Sequence, residues 1–235
     1  LPKAEQNVVS MNTENFSIPN RIPAMTLSGV VLFPQAMMPL RIFEERYKAM
    51  LLDRLKEDRI FAIVGERENV SEEEAHLELP FGVATAGLIR VAKENPDGTS
   101  FVLLQGLSRV KIVSIPQEIP YRILEVEPVE TIVDEGSFGL RDKITLQLER
   151  NQDLGGEVTE EMLEFLAPLD DDIAFVDLAA YTLCKHTLRK QAMLEVQNLS
   201  KRATMLLSDL TNENDRLDLI KQALGGKQDD DLGFN

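Results

Sequence analysis

Short apolar runs separated by turn residues fill the first half of the chain, from Arg21 to about Glu130, and predict a β-rich domain. Small and apolar residues alternate from Val83 to Val91, as in a long strand that curves or packs closely against a neighbour. Asn95-Pro96-Asp97-Gly98 predicts a hairpin tip, because proline presets a turn dihedral and glycine accepts a positive φ. In the following strand, from Thr99 to Ile115, the central pair Gln105-Gly106 indicates a bulge or a barrel corner.

One helical stretch interrupts this β-rich half, from about Glu44 to Asp58. A sheet that closes on itself removes exposed edges, and a single helix can cover the remaining opening. We therefore expect the helix to pack across a barrel opening, with a closing strand from Tyr121 to Glu130. The apolar side chains that share one face of the helix are Tyr47, Met50, Leu51 and Leu55.

The period of apolar residues changes from two to roughly 3.6 after Thr131, which predicts a helical second half. Asp134-Glu135-Gly136 has the composition of a linker, and the apolar residues from 140 to 148 share one helix face. Thr159 is expected to cap a short helix that Pro168 stops.

The acidic triplet Asp170-Asp171-Asp172 begins the next predicted helix. Three adjacent carboxylates at a helix start stabilise the helix dipole and its free amides, so we prefer this role to a metal site. Cys184 and His186 fall further along the same predicted helix, two residues apart, and therefore point to different faces. We do not expect a catalytic pair between them.

Apolar residues recur about every 3.5 positions from Leu199 to Leu224 and predict one long helix. Ser200 can cap its start, and Gly225-Gly226 can end it. A break among the weak helix formers from Thr211 to Asn214 is the main alternative. The predicted divisions of the chain are a mobile leader at 1–20, a β-rich domain at 21–132, a helical bundle at 137–226 and a disordered tail at 227–235.

Lysine and arginine total 25 against 40 acidic residues, which gives a formal charge of −15. No strong basic patch stands out in the sequence, so we do not expect nucleic acid as a partner. No stretch approaches the roughly 18 consecutive apolar residues of a membrane-spanning helix, and we expect no membrane partner. A single cysteine and a polar opening segment favour a cytoplasmic location. The sequence does not indicate an oligomeric state.

The residue types that carry catalysis are sparse. His76, His186 and Cys184 lack the partners of an activated nucleophile, and these three scattered residues cannot build a zinc site. No glycine-rich run followed by lysine and serine or threonine is present to cradle a phosphate. We therefore expect no enzyme activity, no catalytic residues, no metal and no cofactor.

Three blocks of residues occur in order between positions 21 and 130. The first runs from Ile22-Pro23 through Val30-Val31-Leu32-Phe33-Pro34 and Met38-Pro39-Leu40 to Ile42-Phe43-Glu44-Glu45-Arg46-Tyr47. The second is Phe81-Gly82-Val83-Ala84-Thr85-Ala86-Gly87-Leu88-Ile89, and the third joins Asp97-Gly98-Thr99 to Leu104-Gln105-Gly106-Leu107-Ser108-Arg109-Val110. Together they resemble the amino-terminal (LON substrate-binding) domain of Lon proteases, here expected in a stand-alone form without the ATPase and peptidase domains.

The resemblance implies an α+β fold, with a PUA-like six-stranded β pseudo-barrel, one capping helix and then an α-helical bundle subdomain. It also implies a non-catalytic protein-binding module whose partner is unfolded polypeptide or a specific partner protein. An RNA-binding PUA-like module is the alternative, and the charge of −15 argues against it. A cryptic enzyme is a third possibility, which the poor inventory of nucleophiles and metal ligands disfavours.

The segment Phe33-Pro34-Gln35-Ala36-Met37-Met38-Pro39 is the predicted polypeptide-binding surface, with Phe33, Gln35, Met37 and Met38 as its binding residues. Its two prolines disfavour pairing within a sheet, so we expect a loop or a sheet edge. Methionine is flexible and polarizable, which suits partners of variable sequence. The alternative is that Met37 and Met38 plug the barrel mouth. Gln35 replaces the small residue that the family usually has after Phe-Pro, so this loop is expected to differ.

Overall fold

The computed structural model describes residues 17–67 and 79–225. One helix, α1 (Glu45–Lys56), follows the second of six strands that form a single sheet. Most of the predicted leader and all of the predicted tail lie outside the described residues, as does His76. The strands are β1 (Arg21–Leu27), β2 (Met37–Ile42), β3 (Ile60–Gly65), β4 (Val83–Glu94), β5 (Ser100–Gln117) and β6 (Arg122–Pro128).

The sheet has the strand order β2-β5-β4-β3-β1-β6, and β6 also pairs with β5. Five strands therefore close into a ring, and β2 extends the sheet beside β5. The pairing of β1 with β3 is parallel, whereas the other pairings are antiparallel. The 18 residues of β5 are enough to pair with β2, β4 and β6 along its length. The predicted six-stranded pseudo-barrel is confirmed.

The hairpin between β4 and β5 follows the predicted turn chemistry. Gly98 has φ 74°, and the Thr99 amide donates to Asp97 Oδ1 at 3.0 Å. The predicted bulge is also present, as a register shift between Gly106 and Ser108 on β5. A side chain at Gly106 would overlap the carbonyl group of Phe33, so this close approach requires glycine.

Helix α1 buries one face in the larger of two hydrophobic clusters, which also contains side chains from the strands and from the helical half. Tyr47, Met50 and Leu51 are buried, as their shared helix face predicts, whereas Leu55 remains partly exposed. The Tyr47 hydroxyl donates to the Thr26 carbonyl oxygen at 3.2 Å and so ties the helix to β1.

Five helices make up the second half, after a 3-10 turn at Glu135–Ser137. Thr159 Oγ1 accepts a hydrogen bond from an amide in the first turn of its helix, as predicted. The Asp171 carboxylate caps the next helix by accepting from two backbone amides. The helices are α2 (Leu140–Asp153), α3 (Glu160–Leu166), α4 (Asp172–Leu183), α5 (Thr187–Glu195) and α6 (Leu199–Gly225).

Two details of this half correct the sequence interpretation. Cys184 and His186 do not lie within one helix, because α4 ends at Leu183 and a short connection leads into α5. The Cys184 sulfur lies 3.7 Å from the backbone carbonyl oxygen of His186. The cap of α6 is Asn198, whose Oδ1 accepts from the amide three residues on, because Ser200 already lies inside the first turn.

Helix α6 runs unbroken through the weak helix formers, so the alternative of a break at 211–214 is wrong. Asn214 is buried, and its Nδ2 donates to the Gln147 carbonyl oxygen at 2.8 Å. Asn214 Oδ1 accepts from Asn151 Nδ2 at 2.7 Å. These bonds to α2 satisfy the polar side chain and hold the helix in its path.

The larger of two hydrophobic clusters spans both halves of the chain, whereas the buried residues of the second all come from the strands. A single cluster of buried side chains includes Phe33 and Leu104 of the pseudo-barrel together with Phe175 and Leu206 of the helices. The β-rich and helical halves therefore stabilise each other through the same apolar contacts.

A buried ionic cluster also joins the halves, formed by Arg109 of β5, Asp177 of α4 and Arg202 of α6. Both terminal nitrogens of Arg109 donate to the Asp177 carboxylate, each at 2.7 Å. Arg202 Nε lies 3.0 Å from Asp177 Oδ1, an ion pair without hydrogen-bond geometry. Burial lowers the pKa of Arg202 to about 10, although the charge of Asp177 opposes this shift.

Candidate polypeptide-binding surface

The predicted binding segment leads into β2, and its side chains alternate between core and solvent. Phe33 is fully buried, and its ring centroid lies 6.5 Å from that of Tyr181. Met38 is also buried. Neither side chain can contact a partner in this conformation, which corrects their assignment as binding residues. Gln35 is exposed and Met37 is 40% exposed, so these two reach the surface and their binding role stays a prediction.

A tight turn before β2 carries Gln35 at φ 66°. Its amide donates to the Gly106 carbonyl oxygen at 2.9 Å, and the Gly106 amide donates to the Ala36 carbonyl oxygen at 2.9 Å. The left-handed conformation costs a residue with a side chain about 1–2 kcal/mol. This cost agrees with the small residue that Lon amino-terminal domains, which the sequence resembles, usually have at this position. The turn carries the chain from the core at Phe33 to the sheet edge at Met37.

Three neighbouring strands present their outward side chains in rows that the cross-strand register sets. On β5, Val102 and Leu104 are buried, so the residues that alternate with them face solvent. Arg90 stands at a bulge in β4 and donates from Nε to Gln105 Oε1 at 2.6 Å. We call the nine outward residues the β2–β5–β4 patch. Two of its rows follow the register of all three strands: Pro39, Leu103 and Val91; and Arg41, Phe101 and Lys93. In the third, the register pairs Met37 with Gln105, and Arg90 joins Gln105 through the side-chain hydrogen bond.

Three exposed apolar side chains meet in the β2–β5–β4 patch. Met37, Val91 and Phe101 are 40%, 45% and 41% exposed, and each comes from a different strand. Leu103, half-buried at the centre of the patch, links Val91 to Pro39 across the strands. Contiguous exposed apolar side chains with a polar rim are typical of binding surfaces, whereas scattered ones are not.

The charges of the β2–β5–β4 patch differ in sign from those of the whole chain. Arg41, Arg90 and Lys93 supply three cations, in a chain whose formal charge is −15. Arg41 Nη2 lies 2.9 Å from Asp97 Oδ2 at the nearby hairpin tip. Hydrogen bonds from Thr99, with a smaller contribution from Arg41, hold the pKa of Asp97 below its ordinary value. Arg41 is thus already paired with a carboxylate.

A second apolar surface is a groove of about 870 Å³ between α3, the connection from α4 to α5, and α6. Leu188 lines this groove and is half exposed. Cations at the groove rim are paired with neighbouring acids: Lys185 with Glu157, Arg189 with Asp209, and Arg216 with Glu213. The helical groove is therefore apolar but electrostatically balanced.

The helical groove also contains Cys184, whose thiol has its pKa raised by burial. A raised pKa leaves less of the nucleophilic thiolate at neutral pH. Across residues 17–67 and 79–225, no group of three or more histidine, cysteine, aspartate or glutamate residues is placed to hold a metal ion. In that same part of the chain, no helix combines the length and apolar character needed to cross a membrane.

Comparison with known proteins places these features in a family. Residues 21–212, most of the chain, match the substrate-binding domain of the ATP-dependent protease La (LON). The chain belongs to the LON substrate-binding domain family. It is 26% identical over 209 residues to Lon protease 2 of Myxococcus xanthus, and 29% identical over 206 residues to the Lon protease of Haemophilus influenzae. These alignments cover 86% and 87% of this chain but 25% and 26% of the relatives, so the chain spans about a quarter of their length.

Two solved structures share the LON-family fold. The N-terminal domain of the Mycobacterium avium complex Lon protease aligns with a TM-score of 0.66 at 15% identity, covering 81% of this chain and 98% of that one. The Lon N-terminal domain protein from Xanthomonas campestris aligns with a TM-score of 0.58 at 20% identity, covering 80% and 97%. At these identities the likeness shows the fold alone, and it confirms the fold expected from the three sequence blocks.

The sequence predicts binding residues on only one of the three strands of the β2–β5–β4 patch, β2, and none on β4 or β5. Met37 was predicted, whereas Val91, Phe101 and Lys93 were not. The alternation of Phe101 and Leu103 with buried neighbours was a usable signal for the period of β5. That period does not tell which of the two faces is covered, because the face is decided by the elements that pack on it, here α1 together with residues of the helical half.

Proposed function

We propose that this LON-family chain is a non-catalytic recognition module that binds unfolded polypeptide through the β2–β5–β4 patch. The observation that carries the proposal is the exposure of Met37, Val91 and Phe101 together on one face of three paired strands. Unfolded chains display the apolar side chains that folded proteins bury, so such a face can distinguish the two states. The family's description as a substrate-binding domain supports the same role.

The scaffold beneath the β2–β5–β4 patch supports this role. The inward neighbours Met38, Val102 and Leu104 are buried in the core, so the strands that carry the patch are held in place. A preorganised surface loses less conformational entropy on binding than a mobile one. Met37, on the edge strand, adds an unbranched side chain that adapts to different sequences.

A double substitution, Val91→Ser with Phe101→Ser, tests the proposal. The measurement is binding to a reduced and alkylated, permanently unfolded protein, followed by fluorescence anisotropy. We expect at least about tenfold weaker binding, because two central contacts that each contribute more than about 1 kcal/mol together exceed the roughly 1.4 kcal/mol of a tenfold change. Val113→Ser is the matched control, since Val113 is 52% exposed on the same strand β5 but lies outside the patch. This control should bind as the parent chain does.

Two further variants locate the binding surface. Met37→Ser changes an exposed residue and should weaken binding without a large loss of stability. Leu188→Ser changes the helical groove instead and should leave binding unchanged. If Leu188→Ser abolishes binding while the Val91 and Phe101 substitutions do not, the groove rather than the patch is the binding surface.

The competing functions give different results in the same assay. A single-stranded RNA should not bind at physiological salt, because 40 acidic residues against 25 basic ones repel a polyanion. The purified chain should neither hydrolyse ATP nor cleave the bound polypeptide. Turnover that a point mutation in this chain abolishes would contradict the non-catalytic role.

A further inference from the structure

We propose that residues 226–235 of this chain turn back and place Leu232 and Phe234 in the helical groove. This inference goes beyond the proposed function and does not depend on the β2–β5–β4 patch. The groove has a volume of about 870 Å³ and lies between α3, the connection from α4 to α5, and α6. Pockets that enclose small organic ligands measure roughly 300–1,000 Å³. The groove therefore has room for two large apolar side chains.

The helical groove presents apolar side chains at the protein surface. Leu188 is 50% exposed, and Met162 and Leu183 are only partly buried. The three cations at the rim are paired with neighbouring acids, so the rim favours neither sign of charge. Apolar contact rather than charge therefore decides what the groove binds.

Helix α6 extends the apolar wall of the groove toward residue 226. Glu213 and Arg216 line the groove, and Ile220 and Leu224 follow Arg216 at intervals of four residues on the same helix face. Ile220 is 44% exposed and Leu224 is 66% exposed. Contiguous exposed apolar side chains are typical of binding surfaces. This stripe leads from the end of α6 into the groove.

The length of the segment is sufficient for the distance that it must cover. Phe234 follows Gly225, the last residue of α6, by nine residues, which span at most about 30–32 Å. From Gly225 back to Leu210, which lines the groove, fifteen helical residues measure roughly 22–23 Å. Gly225-Gly226 can adopt the positive φ of a sharp reversal. Phe234 can therefore reach the groove.

Composition and tethering favour this segment as the occupant of the groove. Its polar residues alone predict disorder, so docking depends on Leu232 and Phe234, which gain free energy when they are buried. A segment joined to α6 is present at an effective concentration on the order of millimolar. A separate polypeptide at a lower concentration competes poorly with it. For the same reason, Leu188→Ser should leave polypeptide binding unchanged.

A tryptophan reporter tests the docking. The chain contains no tryptophan, so Phe234→Trp in the full chain introduces a single fluorophore and keeps an aromatic side chain. Gln228→Trp is the matched control, because it leaves both docking side chains in place. We expect the Phe234→Trp emission to lie at shorter wavelength than the control emission and to be quenched less by acrylamide. Adding Leu188→Ser should move the Phe234→Trp emission toward that of the control.

Cys184 provides a second readout, because it is the only cysteine of the chain and lines the groove. A double substitution, Leu232→Ser with Phe234→Ser, should weaken docking at least about tenfold, since full burial of either side chain contributes that much. N-ethylmaleimide should then modify Cys184 at least about twofold faster, because the rate follows the fraction of chains with an open groove. Asp229→Asn with Asp231→Asn keeps the apolar pair and should react as the parent chain does. Circular dichroism should show the same fold for all variants.

Four results would overturn the proposal. If the reporter emission and the Cys184 rate both match their controls, residues 226–235 do not dock. An emission shift that grows with protein concentration assigns the segment to the groove of a second copy. A shift that Leu188→Ser leaves unchanged assigns the segment to a surface outside the groove. Displacement of the reporter by unfolded protein at about micromolar concentration makes the groove a polypeptide-binding site instead.

Discussion

The Asp177→Asn substitution perturbs the ionic cluster that joins the two halves. The parent carboxylate accepts two hydrogen bonds from Arg109 at 2.7 Å and lies 3.0 Å from Arg202 Nε. Asparagine keeps one acceptor, loses the negative charge, and turns an NH₂ group toward guanidinium donors. Arg109 and Arg202 retain hydrogen bonds to the carbonyl oxygens of Leu194 and Val196, but two buried cations remain without a counter-charge.

Removing one partner of a buried ion pair typically costs about 3–5 kcal/mol, because the remaining charge stays desolvated. For a chain of this length that loss corresponds to a fall in Tm of roughly 6–20 °C. Urea unfolding followed by circular dichroism measures the loss directly. Asp172→Asn is the matched control on the same helix, because the Asp172 pair with Arg141 at 3.2 Å is exposed and should contribute less than about 1 kcal/mol.

The pH dependence gives a second check on the ionic cluster. The pKa of Arg202 is lowered to about 10 in the folded chain, so above that pH the unfolded state binds more protons, and the cost of burying this charge falls as the pH rises. Loss of the Asp177 charge lowers the pKa of Arg202 further. The destabilisation of Asp177→Asn relative to the parent should therefore shrink as pH rises toward 10. A loss below about 1 kcal/mol at neutral pH would refute the assignment of the cluster as a joint between the halves.

Three other outcomes are expected. Gly106→Ala should lower the free energy of unfolding by about 1–3 kcal/mol or more in urea titrations, because the added methyl overlaps backbone at Phe33; a neutral result would mean that the segment before β2 moves freely. Gln35→Gly should raise the free energy of unfolding by up to about 1 kcal/mol in the same titrations by relieving the cost of the positive φ, and an unchanged or lower value would contradict that cost. Asp97→Asn should be less stable than the parent at neutral pH. Because the folded-state pKa of Asp97 is depressed, this difference should vanish as acid protonates Asp97, and a difference independent of pH would contradict the role of the charge.

Local signals in the sequence were sufficient for the turn and most helix starts. The hairpin at Asp97-Gly98 and the caps at Thr159 and Asp171 depend on residues a few positions apart, so their chemistry can be read directly. The end of α4 before Cys184 was missed because no proline or glycine marks it. The cap at Asn198 was missed because the neighbouring Ser200 is an equally suitable residue type.

Long-range features could not be predicted in the same way. The ionic cluster joins Arg109 to Asp177, which are 68 positions apart, and each stands alone in its local pattern. A closing strand from Tyr121 to Glu130 was expected, but its pairing with β5 in particular could not be derived from periodicity. Hydrophobic periodicity specifies which residues share a face, and it contains no information on which other element covers that face.

The two neighbouring methionines of β2 show the consequence of this limit for function. Met37 and Met38 have the same side chain, yet one is 40% exposed and the other is buried. The difference arises because Met38 shares the core cluster with Tyr47 and Met50 of α1, while Met37 belongs to the face that α1 does not cover. A one-residue shift in the β2–β5 register would exchange their positions and turn the inward side chains to solvent. The bulge at Gly106 and the turn at Gln35 fix that register, so two backbone features outside the β2–β5–β4 patch determine which methionine is available to a partner.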